Sequence, residues 1–281
     1  MLFRSLDFAN KGWDSPVAML PAVALACGKL MKLSPDKLAH AVAIALNDHI
    51  PMNQTRVQTL SDWKGIAAPE AARNAVFATQ LARGGISGPA PIFEGRNGFF
   101  RLVSGPADVD TEGFGGRGKS FRINTVGMKA YPAQVYTQTA VVAGAAVAKE
   151  AGSLDRIVSV EIATTNHGYR TAGSEPEKWA PDTRDTADHS LPYITARAMF
   201  DGDLNNDSYA PDKLHDPRIL AFMRKMTVKE DPAFVVSSGK GPPTRITATL
   251  KDGGRITRQV DSVPGRSEEH TSELQSPYVI S

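Results

Sequence analysis

RITATLKDGGRITRQV, residues 245–260, decides the fold class of the second half of the chain. Isoleucine and valine alternate there with threonine and arginine in two runs, the period-two pattern of half-buried strands, and Asp252-Gly253-Gly254 supplies a turn that favours positive backbone angles. A β-hairpin is therefore expected over these residues. Moving outward, Ile157–Ile162 and Met226–Val228 have the same β-branched composition, while Ala133–Ala151 and Leu191–Phe200 read as helices between them. Strands and helices are mixed without a regular strand–helix–strand rhythm, so the second half is read as a small α+β unit.

The first half has a different texture. Residues 19–47 are rich in Ala, Leu and Val, and Ser34-Pro35-Asp36 provides an N-cap, a first-turn proline and a first-turn acid. This spacing predicts one helix ending near Leu33 and a second from Pro35 to about Leu46. A third is expected over Ala67–Arg83, stopped by Gly84-Gly85. From Gly88 to Gly118 glycine and proline become frequent and the periodicity disappears, which marks a domain boundary near residue 120.

Composition narrows the function. At roughly 150 residues per domain, 281 residues correspond to one or two domains. Thirty-two Lys and Arg against 30 Asp and Glu give a net charge of +2, too balanced to hold nucleic acid or an anionic membrane over the whole surface. Cys27 is the single cysteine in the chain, which excludes an internal disulfide framework and a Cys-only zinc or iron–sulfur site within it. The absence of a long apolar run or a signal-like start leads to the expectation of a cytoplasmic protein with no membrane partner.

The motifs that carry chemistry are polar groups at helix starts. Gly113–Ser120 fits the phosphate-loop pattern letter for letter, but Gly105-Pro106-Ala107-Asp108 is no strand and Phe121-Arg122-Ile123-Asn124 opens no amphipathic helix, so nucleotide binding is not expected. His40, His49, His167, His189 and His215 have no metal-ligand spacing, and no metal site is expected. Asp188-His189-Ser190-Leu191-Pro192-Tyr193 gathers an imidazole and a phenol at a helix start, compatible equally with a capping arrangement and with a site. Leu60–Gly65 and Lys129–Gln134 each put a lysine beside aromatic and turn residues ahead of a helix. A cation there is disfavoured by the helix dipole unless an anion intervenes, which points to carboxylate or phosphate binding.

Taken together, Gly12-Trp13-Asp14, Gln54–Val57 with the SDWKGIAAPEAARNAVFA segment, ISGPAPIFEGRNGFF (86–100), KAYPAQ (129–134), ADHSLPYITARAMFDGDL (187–204) and MRKMTVKEDP (223–232) resemble the MmgE/PrpD family. That family includes 2-methylcitrate dehydratase and cis-aconitate decarboxylase. The resemblance implies an all-helical domain, here truncated and covering residues 6–120, followed by a smaller α+β lid over 121–265. It implies an active site in the cleft between them, a homodimer in the full-length parent, and no metal or organic cofactor. By motif position it implies Lys64, Lys129 and Tyr193 as cleft residues, with His189 beside them. Asp14 and Gln134 stand where decarboxylase-like members carry histidine, which argues against cis-aconitate decarboxylase and makes both candidates for substrate binding.

The expected activity is elimination of water from a tricarboxylate by acid–base chemistry, with Lys64 and Lys129 on carboxylates and Tyr193 and His189 in proton transfer. The alternatives are a decarboxylase or epimerase of the same family acting on another di- or tricarboxylate, or a catalytically incomplete or non-catalytic relative. RSEEHTSELQS (266–276) and residues 2–5 resemble translated sequencing adapters, so residues 1–5 and 266–281 are expected to be non-native. The family resemblance then implies that an upstream segment carrying an acid, a threonine and a histidine of the site precedes residue 6.

Overall fold

The structure is a computed structural model and describes residues 8–107, 115–116, 118–236 and 241–263. The adapter-like ends and three residues of the phosphate-loop match, Gly113, Phe114 and Arg117, lie outside the described residues. Contacts divide the chain into two compact units, one ending at Asn124 and the other beginning at Thr125.

The first unit is built on three helices that pack pairwise: α1 (Met19–Leu30), α2 (Pro35–Asn47) and α3 (Trp63–Arg83). Helix α2 starts where its local chemistry dictates, with the Ser34 hydroxyl accepting from the Lys37 N–H. Helix α1 ends at Leu30, short of Leu33, because Lys32 takes a left-handed backbone at φ 56° and Leu33 N–H turns back onto the Gly28 carbonyl. Helix α3 begins at Trp63, not Ala67, and runs through Pro69, its seventh residue, whose ring removes one backbone hydrogen bond of the helix. Lys64 therefore lies inside the first turn of α3 and not ahead of the helix.

Small side chains set the spacing of these helices. Ala71, Ala75, Ala78 and Ala82 of α3 are buried against Leu20 and Ala24 of α1 and Ala41 and Ala45 of α2. The loop that follows α3 closes onto α2 at Gly88, whose N–H donates to His40 Nδ1 at 3.3 Å. His40 thereby has a structural role. Phe93, Phe99 and Phe100 of the 86–100 segment pack edge-on or tilted against one another, with ring centroids 5.5–6.5 Å apart, and Phe8 joins them on Phe99.

In the second unit, α4 (Gln138–Ala151) leads into β1 (Ile157–Thr164), then α5 (Asn166–Ala172), the short α6 (Arg184–Ala187), α7 (Leu191–Asp201), the short α8 (Pro211–Leu214) and α9 (Pro217–Met223). Strands β2 (Met226–Glu230), β3 (Thr244–Leu250) and β4 (Arg255–Val260) complete a sheet of order β2-β1-β3-β4. The expected hairpin is β3–β4, antiparallel from Thr244↔Val260 to Thr249↔Arg255. The β1–β2 pair is parallel, Val160 opposite Met226, and the long helical crossover between them explains why no alternation in sequence announced it. Helix α4 packs on β3 and β4, and α7 packs on α4, where Gly144 allows close approach to the Thr195 carbonyl. Val147, Ile162, Ile194 and Ile246 are fully buried in this core.

At Gly88 an added Cβ would lie 2.8 Å from the Ala43 Cβ and the His40 carbonyl oxygen and 3.0 Å from the Ile44 nitrogen. Gly88→Ala is expected to destabilise the first unit by roughly 1–3 kcal/mol, the cost of overpacking against atoms that cannot move aside. Urea denaturation read by circular dichroism measures it, and an unchanged midpoint would contradict this packing.

Candidate functional site

The second unit brings two of the singled-out motifs together. Gln134 N–H, in KAYPAQ, donates to the Asp188 carbonyl, in ADHSLPY, at 2.8 Å. The helix expected from Ala133 starts at Gln138 instead, because the Gln134 side chain accepts from Tyr136 N–H at 2.6 Å and caps a separate 3-10 turn over Val135–Thr137. The fully buried Gln138 side chain then clamps the turn ahead of it. It accepts from Tyr131 N–H and donates to the Tyr131 and Ala133 carbonyls, each at 3.0 Å. Lys129, exposed, projects from the start of this clamped turn.

Asp188 and His189 occupy the turn between α6 and α7. The Asp188 carboxylate faces His189 Nδ1 within hydrogen-bonding reach, and both side chains are about one-sixth exposed, at 18% and 16%. A carboxylate can only accept, so Nδ1 carries the proton and Nε2 is the basic nitrogen of the neutral ring. Ser190 caps α7: its hydroxyl accepts from Tyr193 N–H at 3.1 Å and donates to the Lys178 carbonyl.

Tyr193 is enclosed. Its hydroxyl donates to the Ser208 carbonyl at 2.7 Å, and its ring stacks on Tyr209 with centroids 6.2 Å apart. Burial pushes its phenol up to about 12, with Arg197 opposing. Burial, with Asp188 and Tyr193 next in effect, also raises Tyr209, whose buried hydroxyl has no hydrogen-bond partner among the described residues. Tyr193 therefore holds α7 to the Asn206–Tyr209 turn, while Asp188 and His189 are the side chains of that motif that reach solvent.

The Gln134 side chain is also engaged. Its amide nitrogen donates to Thr171 Oγ1 at 3.4 Å, and Tyr136 beside it packs on the His167 ring at 4.6 Å. In the first unit, the Asp14 side chain is 1% exposed. Its Oδ1 accepts from Ser15 N–H at 2.7 Å and from Arg56 Nε at 2.9 Å, whereas Oδ2 is buried with no partner among the described residues. Arg56 also reaches the Lys64 carbonyl at 3.5 Å, which ties the Gly-Trp-Asp segment to the Trp-Lys-Gly segment. Asp14, Arg56 and Lys64 are thus gathered in the first unit, and Lys129, Gln134, Asp188 and His189 in the second.

Sequence reading missed Arg56, Gln138 and Lys178. Arg56 lies within the singled-out Gln54–Val57 stretch and Gln138 just beyond KAYPAQ, but only their hydrogen-bond partners distinguish them. In the phosphate-loop match, Gly116 and Lys119 exchange backbone hydrogen bonds and a short 3-10 turn over Arg122–Thr125 follows, so no α-helix starts at Lys119-Ser120. Among the described residues no group of three His, Cys, Asp and Glu could hold a metal ion, and no helix is long and apolar enough to cross a membrane.

Comparison with known proteins gives matches to the MmgE/PrpD N-terminal domain over residues 1–112 and to the MmgE/PrpD C-terminal domain over residues 131–275. Cis-aconitate decarboxylase of Mus musculus is 24% identical, covering 96% of this chain and 56% of that protein. A mitochondrial 2-methylcitrate dehydratase of Yarrowia lipolytica is 27% identical over 88% of this chain and 48% of its own length. The 2-methylcitrate dehydratase of Salmonella typhimurium is 25% identical over 92% of this chain and 54% of its own. The chain spans about half the length of the curated relatives it matches.

Removing the Gln138 amide releases both carbonyls and the N–H of the turn that carries Lys129. Gln138→Ala is expected to cost about 2–4 kcal/mol, the sum expected for several buried hydrogen bonds left unmade. Amide exchange should accelerate at Tyr131 and Ala133 ahead of α4. Uniform acceleration through α4 would contradict a local clamp.

Proposed function

Since this chain belongs to the MmgE/PrpD family, we propose that it is part of a lyase that eliminates water from a tricarboxylate of the 2-methylcitrate type by acid–base chemistry. The observation that carries the proposal is the Gln134–Asp188 bond, which fixes a solvent-reaching Asp188–His189 pair to the segment bearing Lys129. Elimination needs a base for a proton on the carbon next to a carboxylate, positive charge for the enolate that develops there, and a proton for the departing hydroxyl. His189 Nε2 is the base in this reading. Asp188 holds the ring in that tautomer and stabilises the imidazolium formed when the proton arrives. The imidazolium can then return the proton to the leaving hydroxyl, as a single acid–base group does in a syn elimination.

Lys129 is assigned to a substrate carboxylate and to the developing enolate charge, and Lys64 to another carboxylate. Tyr193, with its phenol inside the core, acts here as a positioning residue behind His189. Asp14 and Gln134 shape the surroundings of the lysines, with Asp14 Oδ1 and both ends of the Gln134 amide spent on protein partners. The parent is read as a homodimer of di- or tricarboxylate specificity, in the propionate metabolism such a substrate implies. A decarboxylase needs an acid to protonate a carbanion at the same carbon that loses carbon dioxide; the two positions that resemble histidine sites of decarboxylase-like members hold Asp14 and Gln134 instead, which favours dehydration.

In the protein carrying this chain, turnover of 2-methylcitrate is read from the absorbance of the conjugated acid product, with cis-aconitate as the competing substrate. His189→Asn is expected to lower kcat about 10²–10⁴-fold, the usual contribution of a positioned acid–base group. Lys129→Met should lower kcat and raise KM together. Tyr193→Phe should act mainly through stability, by roughly 1–2 kcal/mol for one buried hydrogen bond. Full turnover by His189→Asn, or turnover of cis-aconitate alone, would overturn the proposal.

A further inference from the structure

The stretch at 86–100 has no part in the elimination proposed above, yet it frames a cavity in the first unit. Its second half closes into a compact turn: Phe99 and Phe100 N–H donate to the Ile92 and Phe93 carbonyls at 2.8 and 3.1 Å, and Gly98 N–H donates to the Gly95 carbonyl at 2.8 Å. A glycine is required at 98, since an added Cβ would lie 2.8 Å from the Ile92 and Phe93 carbonyl oxygens. Phe100–Ser104 then winds as a single π-helical turn, a rare form found frequently at functional sites. Phe93–Arg96, Phe100, Arg101 and Gly105–Ala107 line a cavity of about 660 Å³, a size typical of small-molecule sites.

The lining combines an aromatic wall with unneutralised charge. Phe93 and Phe100 are partly buried, with ring centroids 5.5 Å apart and planes tilted by 39°. Arg96 and Arg101 are both exposed, and Arg101 Nη1 donates to the Arg96 carbonyl at 3.0 Å, which ties the second guanidinium to the turn bearing the first. The Lys11 ammonium donates to the Ser104 carbonyl, and a Cβ added at Gly105 would lie 2.7 Å from its Nζ, so a third cation abuts the lining. Glu94 is the carboxylate among the described lining residues. Glu94, Arg96 and Arg101 are close in sequence and opposite in sign, yet none of them forms an ion pair among the described residues. The excess positive charge of the cavity is thus left for an anion from solution.

We propose that this cavity binds a nucleotide, a ligand that joins a flat ring to a phosphate tail. The ring lies against Phe93 and Phe100, and the phosphate oxygens take the N–H groups of Arg96 and Arg101, whose planar forks match two oxygens at a time. Lys11 adds a point charge behind them. Glu94 accepts from a ribose hydroxyl, as carboxylates do in dinucleotide sites. A tricarboxylate would satisfy the cations but would leave the aromatic wall uncovered and set a further carboxylate against Glu94. The phosphate-loop match would hold an anion by backbone N–H groups, whereas side chains hold it here. The proposal stands independently of the elimination, since none of these residues is used in it.

Isothermal titration calorimetry of the 281-residue chain with ADP tests it. One ADP should bind per chain with a Kd of about 0.1 mM or tighter. Adenosine, which lacks the phosphates, and ribose 5-phosphate, which lacks the ring, should each bind at least about tenfold more weakly, because each loses one half of the contacts. Arg96→Ala should weaken ADP about tenfold, the loss of one charge-assisted phosphate contact. Phe93→Leu should weaken it by a similar factor, the loss of one stacking face. The Arg96 guanidinium has no protein partner to lose among the described residues, so Arg96→Ala keeps the question answerable if Phe93→Leu does not fold. No heat of binding from ADP at millimolar concentration would overturn the proposal. Inorganic pyrophosphate or citrate binding as tightly as ADP would overturn it as well, by reducing the cavity to a patch of charge. So would ADP binding that Arg96→Ala leaves unchanged.

Discussion

One backbone hydrogen bond, Gln134 N–H to the Asp188 carbonyl at 2.8 Å, sets the relation between the two motifs of the second unit. A main-chain bond of this kind survives side-chain rearrangement and fixes direction as well as distance. Around it, the Gln138 side chain holds the lysine-bearing turn and the Ser190 hydroxyl caps α7 while bonding the Lys178 carbonyl. The polar groups proposed for chemistry therefore sit on turns whose free backbone groups are spent on one another. Such spending restricts the geometry to a narrow range before any substrate arrives, which is what electrostatic stabilisation of a short-lived enolate needs.

The first unit shows the same economy in another form. Alanine faces let α1, α2 and α3 approach closely, and Arg56 links the buried Asp14 carboxylate to the carbonyl of Lys64. The outcome at the helix start also alters the electrostatic reading of Lys64. As part of the first turn of α3, it lies where the helix dipole disfavours a cation, and a carboxylate ligand would relieve the unfavourable contact.

What the sequence made legible was local. The Ser34-Pro35-Asp36 start of α2 and the Asp252-Gly253-Gly254 turn are written in neighbouring residues, and both elements form as read. The helical-then-α+β order followed from such signals. The parallel β1–β2 pair was not legible, because its partners are separated by a long crossover and the pairing depends on packing alone. Nor was the state of the candidate residues. Tyr193 and His189 are four positions apart in one motif, yet the helical turn sends the phenol into the core and leaves the imidazole at the surface. Lys178 belongs to none of the singled-out motifs, and nothing local to a lysine states that it is buried.

The central claim is that the joined Lys129 and Asp188–His189 segments form the proton-transfer side of a carboxylate site. A crystal structure of the protein carrying this chain, with a bound non-reacting tricarboxylate, tests that claim most directly. The account predicts a ligand carboxylate against the Lys129 ammonium and a substrate carbon facing His189 Nε2, with Tyr193 still bonded to the Ser208 carbonyl. A ligand bound away from His189, or reached by the Tyr193 phenol while Nε2 points elsewhere, would contradict it.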